Sequence, residues 1–197
     1  MQTTDNYRKH TATNPVQKFL IDNFYKVLIE EAKKLKAQII LDAGCGEGFT
    51  LTRLNENKIG KEFVGIDYSE AAVKIGKSIH PELKLRAGSI YKIPFKDNSF
   101  DLVICTEVLE HLEKPEKALA ELERVTKSYC IISVPHEPWF IIANLLRGKN
   151  ISRWGNDIEH VNHWSRDGIV KLMDKYFDVG VVRNPFPWTM LVVKKKR

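Results

Sequence analysis

Three glycines at alternate positions, Gly44, Gly46 and Gly48, follow Asp42 directly behind the apolar run Ile39-Ile40-Leu41. Such a run is what a strand covered on both faces shows. The glycines let the backbone turn sharply and a ligand approach without a Cβ in the way. The N–H groups that open the next stretch, 49–55, would then face whatever occupies the turn. A nucleotide-like cofactor is the natural occupant of such a strand–glycine turn–helix unit. Phe49 stands where the dinucleotide fingerprint G-x-G-x-x-G needs its third glycine, which argues against a nicotinamide dinucleotide. Asp42 suits a cationic or amine-bearing ligand better than a pyrophosphate. Asp67 ends a second apolar run, 62–66, where a carboxylate accepts hydrogen bonds from ribose hydroxyls. A third group, Thr106, Glu107, Glu110 and His111, follows the run 100–105 and holds the titratable chemistry. His111 is the candidate general base, with His136, His160 and His163 behind it.

Positioning these groups takes an alternation of strands and helices. Asn14 before Pro15 predicts an N-cap, and apolar residues at helical spacing from Val16 to Leu35 predict a helix of about twenty residues. Helices are also expected at 49–55, at 70–79 behind Ser69, and at 112–125. Strands are expected at 38–42, 62–66, 83–87, 100–105 and 129–134. A last helix at 165–176 and two strands, about 177–183 and 188–194, complete the pattern. It fits an α/β, Rossmann-like doubly wound sheet of seven strands with an antiparallel C-terminal hairpin. Residues 1–13 are expected as a mobile segment and 14–197 as a single domain. In it, 136–164 form an insertion that covers the substrate. Tyr7, Arg8 and Lys9 could fold over the cofactor.

The segment Asp42-Ala-Gly-Cys-Gly-Glu-Gly48 resembles the first motif of the class I S-adenosylmethionine (SAM) methyltransferases, an acidic residue followed by Gly-x-Gly-x-Gly. The resemblance covers about 35–194 and is strongest over 38–135. It implies SAM as cofactor, contacts at Asp42, Gly44, Cys45, Gly46, Asp67, Tyr68, Ser89, Ile90 and Thr106, and catalysis at His111. Ser89 stands where the family often has an aspartate for the adenine amine, which leaves the backbone N–H of Ile90 to meet the ring. Glu107, Glu110 and His111, with His160, also resemble the divalent-metal site of ubiquinone-pathway O-methyltransferases and of small-RNA 2′-O-methyltransferases. Many relatives with E-V-L-E-H use no metal, and none is expected here, with Glu110 and His111 capping and tethering the helix 112–125. The implied reaction is methyl transfer to an oxygen or nitrogen of a small-molecule or lipid-linked acceptor. A non-catalytic nucleotide-binding module and an NAD-dependent oxidoreductase are the alternatives.

Composition excludes some classes. The 197 residues, 43% hydrophobic and 28% charged, suit a soluble domain that buries its own core. Cys45, Cys105 and Cys130 have no metal spacing and are expected as reduced, buried residues of a cytoplasmic protein. No run of apolar residues is long enough to span a bilayer, and the first residues lack a signal peptide's pattern. The net charge of +6 comes partly from Lys194–Arg197, and no aromatic-rich basic groove argues for nucleic acid.

Overall fold

The computed structural model describes residues 4–11, 13–137, 139–146 and 160–196. Seven strands form one sheet: β1 (Ile39–Ala43), β2 (Glu62–Asp67), β3 (Lys84–Ala87), β4 (Phe100–Thr106), β5 (Thr126–Pro135), β6 (Phe177–Arg183) and β7 (Trp188–Lys195). Their order is β3-β2-β1-β4-β5-β7-β6. The first five pair in parallel, and β7 enters antiparallel between β5 and β6. This is the Rossmann-like doubly wound sheet with the antiparallel C-terminal hairpin that the sequence pattern predicts.

The described helices are α1 (Asp5–His10), α2 (Pro15–Leu35), α3 (Phe49–Glu56), α4 (Glu70–Ile79), α5 (Pro115–Val125), α6 (Trp139–Leu146) and α7 (Arg166–Met173). Asn14 caps α2 by accepting from the N–H groups of Val16 and Gln17, and Ser69 caps α4 through Ala72. Period-two alternation sends the strand residues into two cores. Ile40, Leu102, Ile104 and Ile131 pack with α2 and α3, whereas Leu41, Val103, Cys105 and Ile132 pack with α5 and α7. Burial on both faces is why these strands read as continuous apolar runs. The three cysteines are free thiols, all buried.

Three elements differ from expectation. Residues 5–10, placed in a mobile segment by their polarity, form α1, which rests on the glycine turn. The helix expected from 112 begins at Pro115. Leu112 is extended after a 3₁₀ turn at Leu109–His111, and the proline supplies the fixed φ of a first helical residue. Glu110 and His111 therefore do not cap it: its N-cap is Lys114, with no side-chain capping bond. The last helix ends at Met173, three residues short of the expected end. Of the insertion at 136–164, residues 147–159, including Trp154, lie outside the described residues.

Candidate cofactor and acceptor cleft

The glycine turn, Asp67 and Thr106 come together because β1, β2 and β4 are neighbours that end on one side of the sheet. In an open α/β sheet this is where ligands bind, at the point where strand order reverses. The carbonyl of Ile66 accepts both the Gly44 and the Cys45 N–H, at 2.8 and 3.0 Å, which pins the turn to the end of β2. Asp67 braces it from the side. Its Oδ2 accepts the Gly46 N–H at 2.7 Å and its Oδ1 accepts the Ser69 N–H at 2.8 Å. Each oxygen keeps a lone pair for a ligand hydroxyl.

A cleft of about 1050 Å³ opens here. It is lined by Gly44, Gly46, Asp67, Tyr68, Ile90, Thr106 and His111, and on its far wall by Leu112, Phe140, His160 and Trp188. A smaller cavity of about 50 Å³ runs under α1 beside Cys45 and Phe49, and shares Gly44, Thr106, Glu107 and Trp188 with the cleft. Two residues of the expected cofactor set do not line either space. Asp42 is 1% exposed beneath the turn. Ser89 turns its hydroxyl to the Tyr91 N–H, at 3.2 Å. Tyr68, by contrast, is 89% exposed beside Asp67, an open aromatic face at the cleft.

Asp42 carries the sharpest electrostatic signal. Neither carboxylate oxygen has a hydrogen-bond partner among the described residues. Burial, with Asp67 nearby, pushes its pKa up to about 8. Between its ordinary value and 8 the folded chain holds a proton that the unfolded chain has released, so stability falls as pH rises through that window. Asp42→Asn is therefore expected to stabilise the ligand-free protein at pH 8 and to give much less at pH 5. Urea unfolding at both values checks this, and an equal difference at the two would contradict it.

Glu107 sits at φ 58°, a strained conformation for a side chain of its kind. Its carboxylate accepts from Trp188 Nε1 and from Ser133 Oγ, so both oxygens are engaged. Burial raises the Glu107 pKa, and burial plus the neighbouring Glu107 holds the Glu110 carboxyl well above the usual range. Glu110 is 1% exposed and its oxygens find no hydrogen-bond partner among the described residues. Donor atoms of Glu110, His111 and His160 lie within 4.8 Å of one another. The resemblance had Glu107 in this group; its bonds to Trp188 and Ser133 place it beside the cluster. His136 and His163 line neither space.

Trp188 and Asn6 line the site without having been singled out by the sequence pattern, whereas Lys9, expected over the cofactor, lines both spaces and Phe140, from the insertion, lines the cleft. Trp188 arrives through the β5–β7 pairing, in which it stands opposite Pro135, and no local spacing announces it.

Residues 41–133 match a family described as a methyltransferase domain. A demethylmenaquinone methyltransferase of Renibacterium salmoninarum is 33% identical over 102 residues, 52% of this chain and 42% of that protein. A probable S-adenosylmethionine-dependent methyltransferase of Mycolicibacterium smegmatis is 29% identical over 111 residues, 55% of this chain and 42% of that one. The chain thus spans less than half the length of these curated relatives. Among solved structures, a protein from Pyrococcus horikoshii superposes with a TM-score of 0.75 at 22% identity, covering 99% of this chain and 100% of that one. The magnesium protoporphyrin IX methyltransferase of Synechocystis, solved with bound SAH, gives 0.69 at 19% identity, with 93% and 89% covered. Over residues 41–133 the chain is thus similar to a methyltransferase domain, and its sheet is built on a fold shared with these solved structures.

Proposed function

We propose that the protein transfers a methyl group to an oxygen or nitrogen of a small-molecule or lipid-linked acceptor. One observation supports this above the others. The glycine turn, Asp67 and Thr106 share a single cleft with His111 and His160, and its volume exceeds what one cofactor fills. SAM, when bound, supplies an electrophilic methyl on a sulfonium. The residues that would hold it are Gly44 to Gly46 at the turn, Asp67 and Tyr68 at the nucleoside, and Ile90 at the adenine. Thr106 and Glu107, which line both spaces, would border its reacting end. The chain's own work is to align the acceptor and exclude water. Where the acceptor must lose a proton, His111 takes it. Relatives named as demethylmenaquinone methyltransferases fit an apolar small acceptor, as do Leu112, Phe140 and Trp188 on the cleft wall.

The clustered donor atoms of Glu110, His111 and His160 favour a second reading. A divalent cation there would acidify an acceptor hydroxyl. Isothermal titration with S-adenosylhomocysteine (SAH), with and without Mg²⁺, tests both. Micromolar binding is expected, and a Mg²⁺-dependent change lost in Glu110→Gln would support the cation. No binding under either condition would overturn the enzyme assignment. NAD binding in its place would favour an oxidoreductase.

A further inference from the structure

Resting on the SAM reading above, we infer that Lys9 holds the α-carboxylate of the cofactor's amino-acid tail, and that α1 is the cover that carries it there. The tail is a zwitterion, so its two ends need opposite partners. Acids dominate the site: Asp42, Asp67, Glu107 and Glu110 lie in or under the cleft walls. They suit ribose hydroxyls and the tail's ammonium, and none of them offers its carboxylate an opposite charge. Among the described residues lining the small cavity beside the glycine turn, Lys9 is the one cation. His10, the other basic side chain there, is buried beside Lys9 and Arg53, which pushes its pKa down to about 3 and leaves it neutral.

The helix is built to place that charge. Thr4 Oγ1 and Asn6 Nδ2 donate to the carboxylate of Glu47, a fully buried residue of the turn itself. His10 stacks on Phe49 with ring centroids 4.5 Å apart, and Tyr7 meets the same ring at 6.1 Å. Gln17 Nε2 donates to the Lys9 carbonyl at 3.3 Å, fixing the end of α1 against α2. Held in this way, Lys9 extends inward until its Nζ lies 5.3 Å from the centre of the Trp188 ring. It is the principal positive charge acting on Glu107. Its ammonium therefore stands where the small cavity and the large cleft meet, and both are lined by Gly44 and Thr106. Arg8, one residue away, is exposed and lines the large cleft alone.

A ligand-truncation cycle on the full chain separates this role from a merely structural one. SAH and 5′-methylthioadenosine share the adenosine and the thioether, and only SAH has the tail. Lys9→Met is expected to weaken SAH about tenfold or more and to leave 5′-methylthioadenosine within about twofold. Lys9→Arg should recover most of the loss, and Arg8→Met should show no such selectivity. Thermal melting of Lys9→Met close to the parent protein shows that the fold is intact. Equal shifts for both ligands, or none for either, would mean that Lys9 serves only as the counter-ion of Glu107, and would overturn the inference alone. A parent protein that binds neither ligand overturns the cofactor reading, and this one with it.

Discussion

Asp67→Ala is expected to weaken SAH binding by about a hundredfold or more, some 2.7 kcal/mol. Two effects add. The first, on the proposed cofactor reading, is loss of the acceptor for ribose hydroxyls, where a charge-assisted bond contributes about 1.5–3 kcal/mol. The second is collapse of the brace under the turn, since Asp67 holds the N–H groups of both Gly46 and Ser69. Asp67→Asn keeps the size, but its amide nitrogen faces a backbone N–H that needs an acceptor. It should fall between, at about tenfold. Titration calorimetry of the three proteins decides the matter. A change under about threefold for alanine would remove Asp67 from the ribose site.

The second large effect falls on folding. Gly44 has φ +90°, and a Cβ built there would lie 2.2 Å from Cγ2 of Val108. Val108 follows the strained Glu107 and is β-branched, so it has little freedom to turn away. Gly44→Ala should cost about 3 kcal/mol or more, lowering the melting temperature by about 6–12 °C in a chain of this size. Trimming the neighbour in Gly44→Ala/Val108→Ala removes the overlap but leaves the backbone strain, so recovery should be partial. Melting of the single variant within 2 °C of the parent would show that the turn can adjust.

The turn and its acid were legible because each is local. An apolar run, alternating glycines and an acid at the end of the next run need only a few neighbouring residues to be recognised. Asn14 and Ser69 as caps were legible for the same reason. What stayed hidden depends on partners far along the chain. Six polar residues make α1 a helix too short to stand alone, and its contacts are to Glu47 and Phe49, some forty residues on. Helical periodicity extended α5 back to Leu112, but the 3₁₀ turn before it takes Glu110 and His111 out of the helix and towards His160. Ser89 was assigned by its position after β3, yet its hydroxyl is satisfied by its own loop.

The insertion of β7 between β5 and β6 has a consequence for how the protein comes into being. Every other strand of the sheet has already been synthesised when Trp188 leaves the peptidyl-transferase centre. Until then one edge of β5 is open and Glu107 lacks its indole donor. A nascent chain can build the glycine turn and the parallel strands, but not the finished wall of the cleft. The edge left waiting, Tyr129 to Pro135, carries Cys130, Ile131, Ile132 and Val134, an apolar strand of the kind that pairs with whatever strand comes first. Prompt arrival of the final hairpin thus protects the newborn chain from aggregation in the same step that completes its site.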